Sequence, residues 1–184
     1  MELNYRVVLE EIDSCLNSSD YSELAEFVSS ISIANQIVCY GAGRVGLAMK
    51  GFAKRLGHLG KTSYFLEDST LPAMGRGDLL IIGSGSGSTK SVLTIAQVAS
   101  RHSIKIILIT ANRNSEIGNL ATSTILLNAP TKQPLLGVYL ESKQPMTTLF
   151  EQALFIFCDA LVLNLMQVLG QTSASMKARH NVLE

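Results

Sequence analysis

The chain predicts an α/β fold: a doubly wound, five-stranded parallel sheet of order 2-1-3-4-5, with extra helices at both ends. Two observations lead there. From residue 36 onward, short unbroken runs of Ile, Leu and Val alternate with segments of helical periodicity, and strands covered on both faces read this way. Two glycine-rich loops, Gly41-Ala42-Gly43-Arg44-Val45-Gly46 and Ser84-Gly85-Ser86-Gly87-Ser88-Thr89, each follow such a run and open a helical segment. With order 2-1-3-4-5 they follow the two strands that flank the topological switch point, where ligands bind in such sheets.

The elements follow in order. Leu3, Val7, Val8, Ile12, Cys15 and Leu16 recur at helical spacing. Asn17-Ser18-Ser19 breaks that helix, and Asp20 with Glu23 reads as a capping box that starts a second through Leu24, Phe27, Val28 and Ile31. Gln36 to Tyr40 is the first strand, and a helix runs from Val45 to Leu59 with Gly60 as its C-cap. Lys61 to Leu66 is the second strand, and a loop over 67–77 contains Pro72. Asp78 to Ile82 is the third strand. Ser88 to His102 is a helix with Val92, Ile95, Ala96 and Ala99 on one face. Ile104 to Thr110 and Ser123 to Leu127 are the last strands, with a short helix near Ser115 to Leu120 between them. Ala129 to Gln144, with Pro130, Pro134 and Gly137, reads as a loop. A long helix starts near Met146, with Pro145 suited to its first turn, and Gly170 ends it before a polar tail.

Composition narrows the class. One domain, residues 1–184, is long enough for a sizeable core. It is 47% hydrophobic, and the surplus apolar surface predicts a homo-oligomer. With 15 basic and 15 acidic residues, bulk charge attracts neither nucleic acid nor an anionic membrane. Cys15, Cys39 and Cys158 have neither metal nor disulfide spacing and read as buried reduced thiols of a cytoplasmic protein. The N-terminus is acidic and amphipathic, unlike a signal peptide. The apolar run Leu154 to Leu169 is interrupted by Asp159 and Asn164, which predicts that it falls short of a membrane span.

The loops carry the chemistry. A helix N-terminus offers unpaired N–H groups and a partial positive charge to an anion. Ser84, Ser86, Ser88 and Thr89 place four hydroxyls within six residues, more than a structural turn needs and well suited to a phosphate. The first loop also matches G-x-G-x-x-G, and Glu67, 26 residues after Gly41, stands near where a ribose-binding acid is expected. Dinucleotide binding therefore competes, although it leaves the second loop without a role and finds no separate substrate domain. Arg44, inside the first loop, is placed to neutralise a phosphate. Glu151 lies in the first turns of an otherwise apolar helix, where partial burial is expected to raise its pKa toward that of a general base. Asp159 is expected to be paired, His58 to pack, and His102 to favour a helix C-terminus.

In sequence these segments resemble the sugar isomerase (SIS) domain family, and within it the 6-phospho-3-hexuloisomerases. The residues that carry the resemblance are the two loops, Phe52-Ala53-Lys54-Arg55-Leu56, His58-Leu59-Gly60, Gln144-Pro145-Met146, Phe150-Glu151-Gln152, Asp159-Ala160, Met176, Arg179-His180 and Leu183-Glu184. The resemblance implies reversible conversion of 3-hexulose 6-phosphate to fructose 6-phosphate through an enediol. Gly43, Arg44, Ser84, Ser86, Ser88 and Thr89 would bind the substrate, Glu151 would be the base, and His180 would assist, reaching the site of a neighbouring subunit in a tetramer. No metal or cofactor is implied. Another sugar-phosphate isomerase, or a non-catalytic phosphosugar-binding module, shares the same features. The chain departs from the pattern at Val45 (serine expected), Ser88 (glutamate expected), Thr147 and Thr148 (glycine expected in this stretch) and Val182 (asparagine expected).

Overall fold

The computed structural model describes residues 3–131 and 141–183. Helices α1 (Tyr5–Asn17) and α2 (Leu24–Ile33) precede the sheet. Then follow β1 (Ile37–Tyr40), α3 (Gly43–His58), β2 (Ser63–Phe65), β3 (Leu79–Gly83), α4 (Lys90–Arg101) and β4 (Lys105–Thr110). A 3-10 turn (Gly118–Leu120), β5 (Ser123–Leu126), α5 (Thr148–Val168) and α6 (Ser173–Ala178) complete the chain. The sheet order is β2-β1-β3-β4-β5 and every pairing is parallel, as the alternating pattern predicts.

The period-two geometry of strands divides the core in two. Ile37, Cys39, Leu79, Ile81, Ile107, Ile109 and Ile125 face α1, α2, α3 and α5. Val38, Leu80, Ile82, Ile106 and Leu108 face the other way, onto Val92, Ala96 and Ala99 of α4. Of the Val92, Ile95, Ala96 and Ala99 stripe read from the sequence, α4 buries Val92, Ala96 and Ala99, and Ile95 packs partly buried at its edge.

Several expectations need correction. Asp20 and Glu23 do not form a capping box, because α2 begins after Glu23 without a side-chain cap. Both carboxylates instead turn to Arg113: its Nη2 donates to Asp20 Oδ2 at 2.9 Å, and its Nη1 bonds Glu23 Oε1. Glu23 Oε2 also accepts the Thr124 N–H at 2.7 Å. The cluster ties the start of α2 to the β5 edge, where Asp20 bridges Leu126. The second correction concerns the C-terminal tail, which is not featureless. Thr172 and Ser175 form a reciprocal capping box that starts α6. Helix α5 begins at Thr148, so Pro145 lies just outside it, its carbonyl accepting the Thr148 hydroxyl at 2.7 Å. The helix has 21 residues and, by length and composition, could cross a membrane, contrary to the sequence expectation. Within the fold its buried face, from Leu149 to Leu165, packs in the same core as the sheet. The predicted loop from Ala129 to Gln144 lies mostly outside the described residues.

The Arg113 cluster makes stability depend on pH. Hydrogen bonds from the Ser22 N–H and Arg113 hold the Asp20 carboxyl below its ordinary value. For Glu23, burial raises the value, but the bonds from Arg113 and Thr124 outweigh it and leave the value lowered. Carboxyls depressed in the folded state stabilise it above the ordinary carboxylate range, and that stabilisation is lost as pH falls through their folded values. R113M is therefore expected to lower Tm by about 4 °C at pH 7. In thermal melts across pH, the difference from wild type should shrink steadily in acid.

Candidate active site

Strands β1 and β3 lie side by side in register, Tyr40 opposite Ile82. Their C-terminal ends therefore deliver both glycine loops to one crevice. The pocket there has a volume of about 340 Å³. One wall is Gly43, Arg44 and Val45 of the first loop, and the second is Ser84, Gly85, Ser86 and Thr89 of the other. Thr147, Phe150 and Glu151 from the start of α5 face them, with Thr131 also at the lining.

Local packing explains the glycines. A Cβ on Gly46 would lie 2.4 Å from the Gly41 carbonyl oxygen, so only glycine lets α3 approach the end of β1 this closely. Gly87 has φ of +64°, and a Cβ there would lie 2.0 Å from Ser115 Oγ. The second loop is braced from the β4 side. The Thr110 hydroxyl and the Ala111 N–H both donate to the Gly85 carbonyl, and Asn112 Nδ2 donates to the Ser86 carbonyl at 3.3 Å. The Ile117 N–H reaches the Gly87 carbonyl at 3.0 Å. Thr110, Asn112 and Ser115 thus shape the loop, and sequence reading missed them because their roles depend on β4 lying next to β3.

Ser84 points to a ligand. Its residue is 3% exposed, and its Oγ is buried with no hydrogen-bond partner among the described residues. A buried hydroxyl left unsatisfied costs about 1–3 kcal/mol. Lying beside Ser86, Thr89 and the N-terminus of α4, it suits an anion with several acceptor oxygens.

The opposite wall carries a carboxylate, Glu151. The Glu151 side chain is 15% exposed and enters an ion pair with Arg44, Nη1 to Oε2 at 2.7 Å. Its other oxygen accepts the Thr147 hydroxyl at 3.2 Å. The surroundings are therefore not the apolar ones expected from the sequence of α5, because packing of α3 against α5 brings a guanidinium to the carboxylate. A carboxylate beside a loop suited to an anion can exchange a proton with a carbon of a molecule held there.

The structure brings together Gly43, Arg44, Ser84, Ser86, Thr89 and Glu151. Ser88 stands apart: it is exposed and absent from the lining, with its N–H turned to Ser86 Oγ at 3.3 Å. Glu67 is likewise exposed and outside the pocket. His180 does not join Glu151 within the chain. It stacks on His58 at 5.2 Å between ring centroids, at the opposite end of α3 from Arg44, about 20 Å along the helix. Asp159 meets Arg55 at 4.0 Å with both side chains half exposed, so it is paired as expected but not buried. Among the described residues, no three His, Cys, Asp or Glu side chains cluster as a metal site. The signal for Thr147 was in the sequence as a departure from the expected glycine, but its bond to Glu151 was not.

Because Ser84 Oγ has no partner among the described residues, S84A removes no hydrogen bond seen there. The melting temperature of S84A should match or exceed wild type, while affinity for inorganic phosphate, read by calorimetry, falls about tenfold.

A family model described as the SIS domain matches residues 30–156. A Bacillus subtilis protein named 3-hexulose-6-phosphate isomerase is 39% identical over 181 residues, covering 96% of this chain and 97% of its own. A Mycobacterium gastri protein of the same name is 32% identical and covers 98% of this chain and 90% of its own. Among solved structures, a Methanococcus jannaschii protein superposes with a TM-score of 0.83 at 32% identity, covering 98% of both chains; 3-hexulose-6-phosphate isomerase was inferred as its molecular function. With the family model spanning all five strands and these relatives aligned along nearly the whole length, the chain belongs to the SIS domain family.

Proposed function

We propose that the chain is a phosphosugar isomerase that interconverts 3-hexulose 6-phosphate and fructose 6-phosphate. The observation that carries this reading is one pocket holding both the Ser84 hydroxyl, unpartnered among the described residues and at an anion-suited helix terminus, and the Glu151 carboxylate. The names of the full-length relatives supply the substrate.

The chemistry follows from these positions. Ser84, Ser86, Thr89 and the α4 N-terminus hold the 6-phosphate, with Gly43 and Arg44 closing the other side. The Glu151 carboxylate takes the proton from C2 of the 3-ketose, and the C–H electrons form the C2–C3 enediol as the carbonyl becomes a hydroxyl. Glu151 then returns the proton to C3, leaving the carbonyl at C2. A hydroxyl proton must also move between the two oxygens, and His180 of a neighbouring subunit would assist there. Its place at the far end of α3 supports a shared site rather than one completed within the chain.

Exposed Leu9 on α1, Leu47 on α3, and Phe155, Ile156 and Leu163 on α5 support a homo-oligomer, a tetramer in this reading. The same reading puts the enzyme in the cytoplasm, supported by three buried unpaired cysteines. Burial pushes the Cys15 thiol up to about 11 and raises Cys39 and Cys158 as well, so none is poised to react at neutral pH.

Proton NMR of fructose 6-phosphate in D₂O tests the reading. Wild type should exchange the C3 proton, and E151Q should lose at least about 10³-fold of that rate while keeping its affinity for fructose 6-phosphate within a few fold. Exchange at C1 instead would indicate an aldose–ketose isomerase. Binding without exchange would indicate a phosphosugar-binding module or another substrate.

A further inference from the structure

We propose that Thr147 is a positioning residue that fixes the orientation of the Glu151 carboxylate for proton transfer. The proposal rests on Glu151 being the base. Threonine at a helix N-cap ordinarily turns its hydroxyl to the backbone N–H two or three residues on. Thr147 is the N-cap of α5, yet its side chain caps nothing. Its hydroxyl reaches Glu151 Oε1 at 3.2 Å, one turn along the helix, while the Glu151 N–H bonds the Thr147 carbonyl at 3.2 Å. Residue 147 therefore holds residue 151 through both backbone and side chain.

The backbone supports this placement. Met146, immediately before, has φ of +56°, a left-handed conformation disfavoured for a side chain of its kind, and the residue is 80% exposed. The Met146 side chain gains no burial in return. The turn instead sets Thr147 in the pocket wall beside Glu151. The two carboxylate oxygens then have different partners. Oε1 is anchored by a hydroxyl on its own helix, and Oε2 is paired across the pocket mouth with Arg44, whose side chain is 55% exposed. The anchor on Oε1 stops rotation of the carboxylate. Oε2 is then the oxygen that takes the proton: a C–H bond of the substrate breaks, an O–H bond forms on Oε2, and the electron pair passes into the enediol.

The test compares T147V, T147A and T147S with wild type and E151Q in steady-state isomerisation, with fructose 6-phosphate binding measured in parallel. T147V and T147A should lower kcat about tenfold or more with KM and binding unchanged, because neither keeps the hydroxyl. T147S keeps it and should stay within about threefold of wild type. A rise in KM alone would make Thr147 a ligand contact and overturn the proposal, as would a T147S as impaired as T147A, which would mark a packing role. Should E151Q be inactive while T147V and T147A keep full kcat, the anchor falls and the base stands. An active E151Q would remove the base and the anchor together.

Discussion

Parallel pairing of β1 with β3 is the constraint on which the site depends. A parallel pair cannot be closed by a hairpin, so the chain between these strands crosses over through α3 and β2, and the chain after β3 crosses through α4 on the other face. The two crossovers leave the sheet in opposite directions from adjacent strands. A crevice opens between them, and both helix N-termini end at it. The tight contacts at Gly46 and Gly87 follow from this crowding, since backbone must pass backbone or Ser115 where a side chain would not fit.

Packing of α3 on α5 is the second determinant, because it sets the polar end of an apolar interface. Ala48, Phe52, Ala53, Phe150, Ala153 and Leu154 join the same buried core. At the pocket end that interface finishes in Arg44 and Glu151, an ion pair with one half-exposed and one mostly buried partner. A carboxylate left alone there would bear a desolvation cost, and the guanidinium with the Thr147 hydroxyl meets its hydrogen-bonding need.

At the other end of α3 the C-terminal segment is held down by equally specific contacts. Arg179 donates to the His58 carbonyl at 3.3 Å and to Gln171 Oε1 at 2.8 Å, and it lies against Gly60, where a Cβ would come within 3.2 Å of its guanidinium carbon. His180 is thereby stacked on His58 rather than frayed. The helix that presents Arg44 to the pocket thus presents His180 at its far end.

The sequence by itself determined the parallel sheet, the two loops and most of the pocket's polar residues. These rest on local signals: apolar runs of strand length, helical periodicity, and glycine or hydroxyl residues placed just after strands. Tertiary structure alone decided which partners those residues have. Asp20 and Glu23 carried a capping pattern, but Arg113, some ninety residues away in sequence, drew both carboxylates off the helix. Glu151 looked like a carboxylate in apolar surroundings, until α3 brought Arg44 to it across 107 positions. Ser88 carried the same hydroxyl as Ser84, yet the turn at Gly87 sends one to solvent and leaves the other buried. Hydrogen bonds and ion pairs are short-ranged and directional, so they are settled only when packing has set distances that local sequence does not encode.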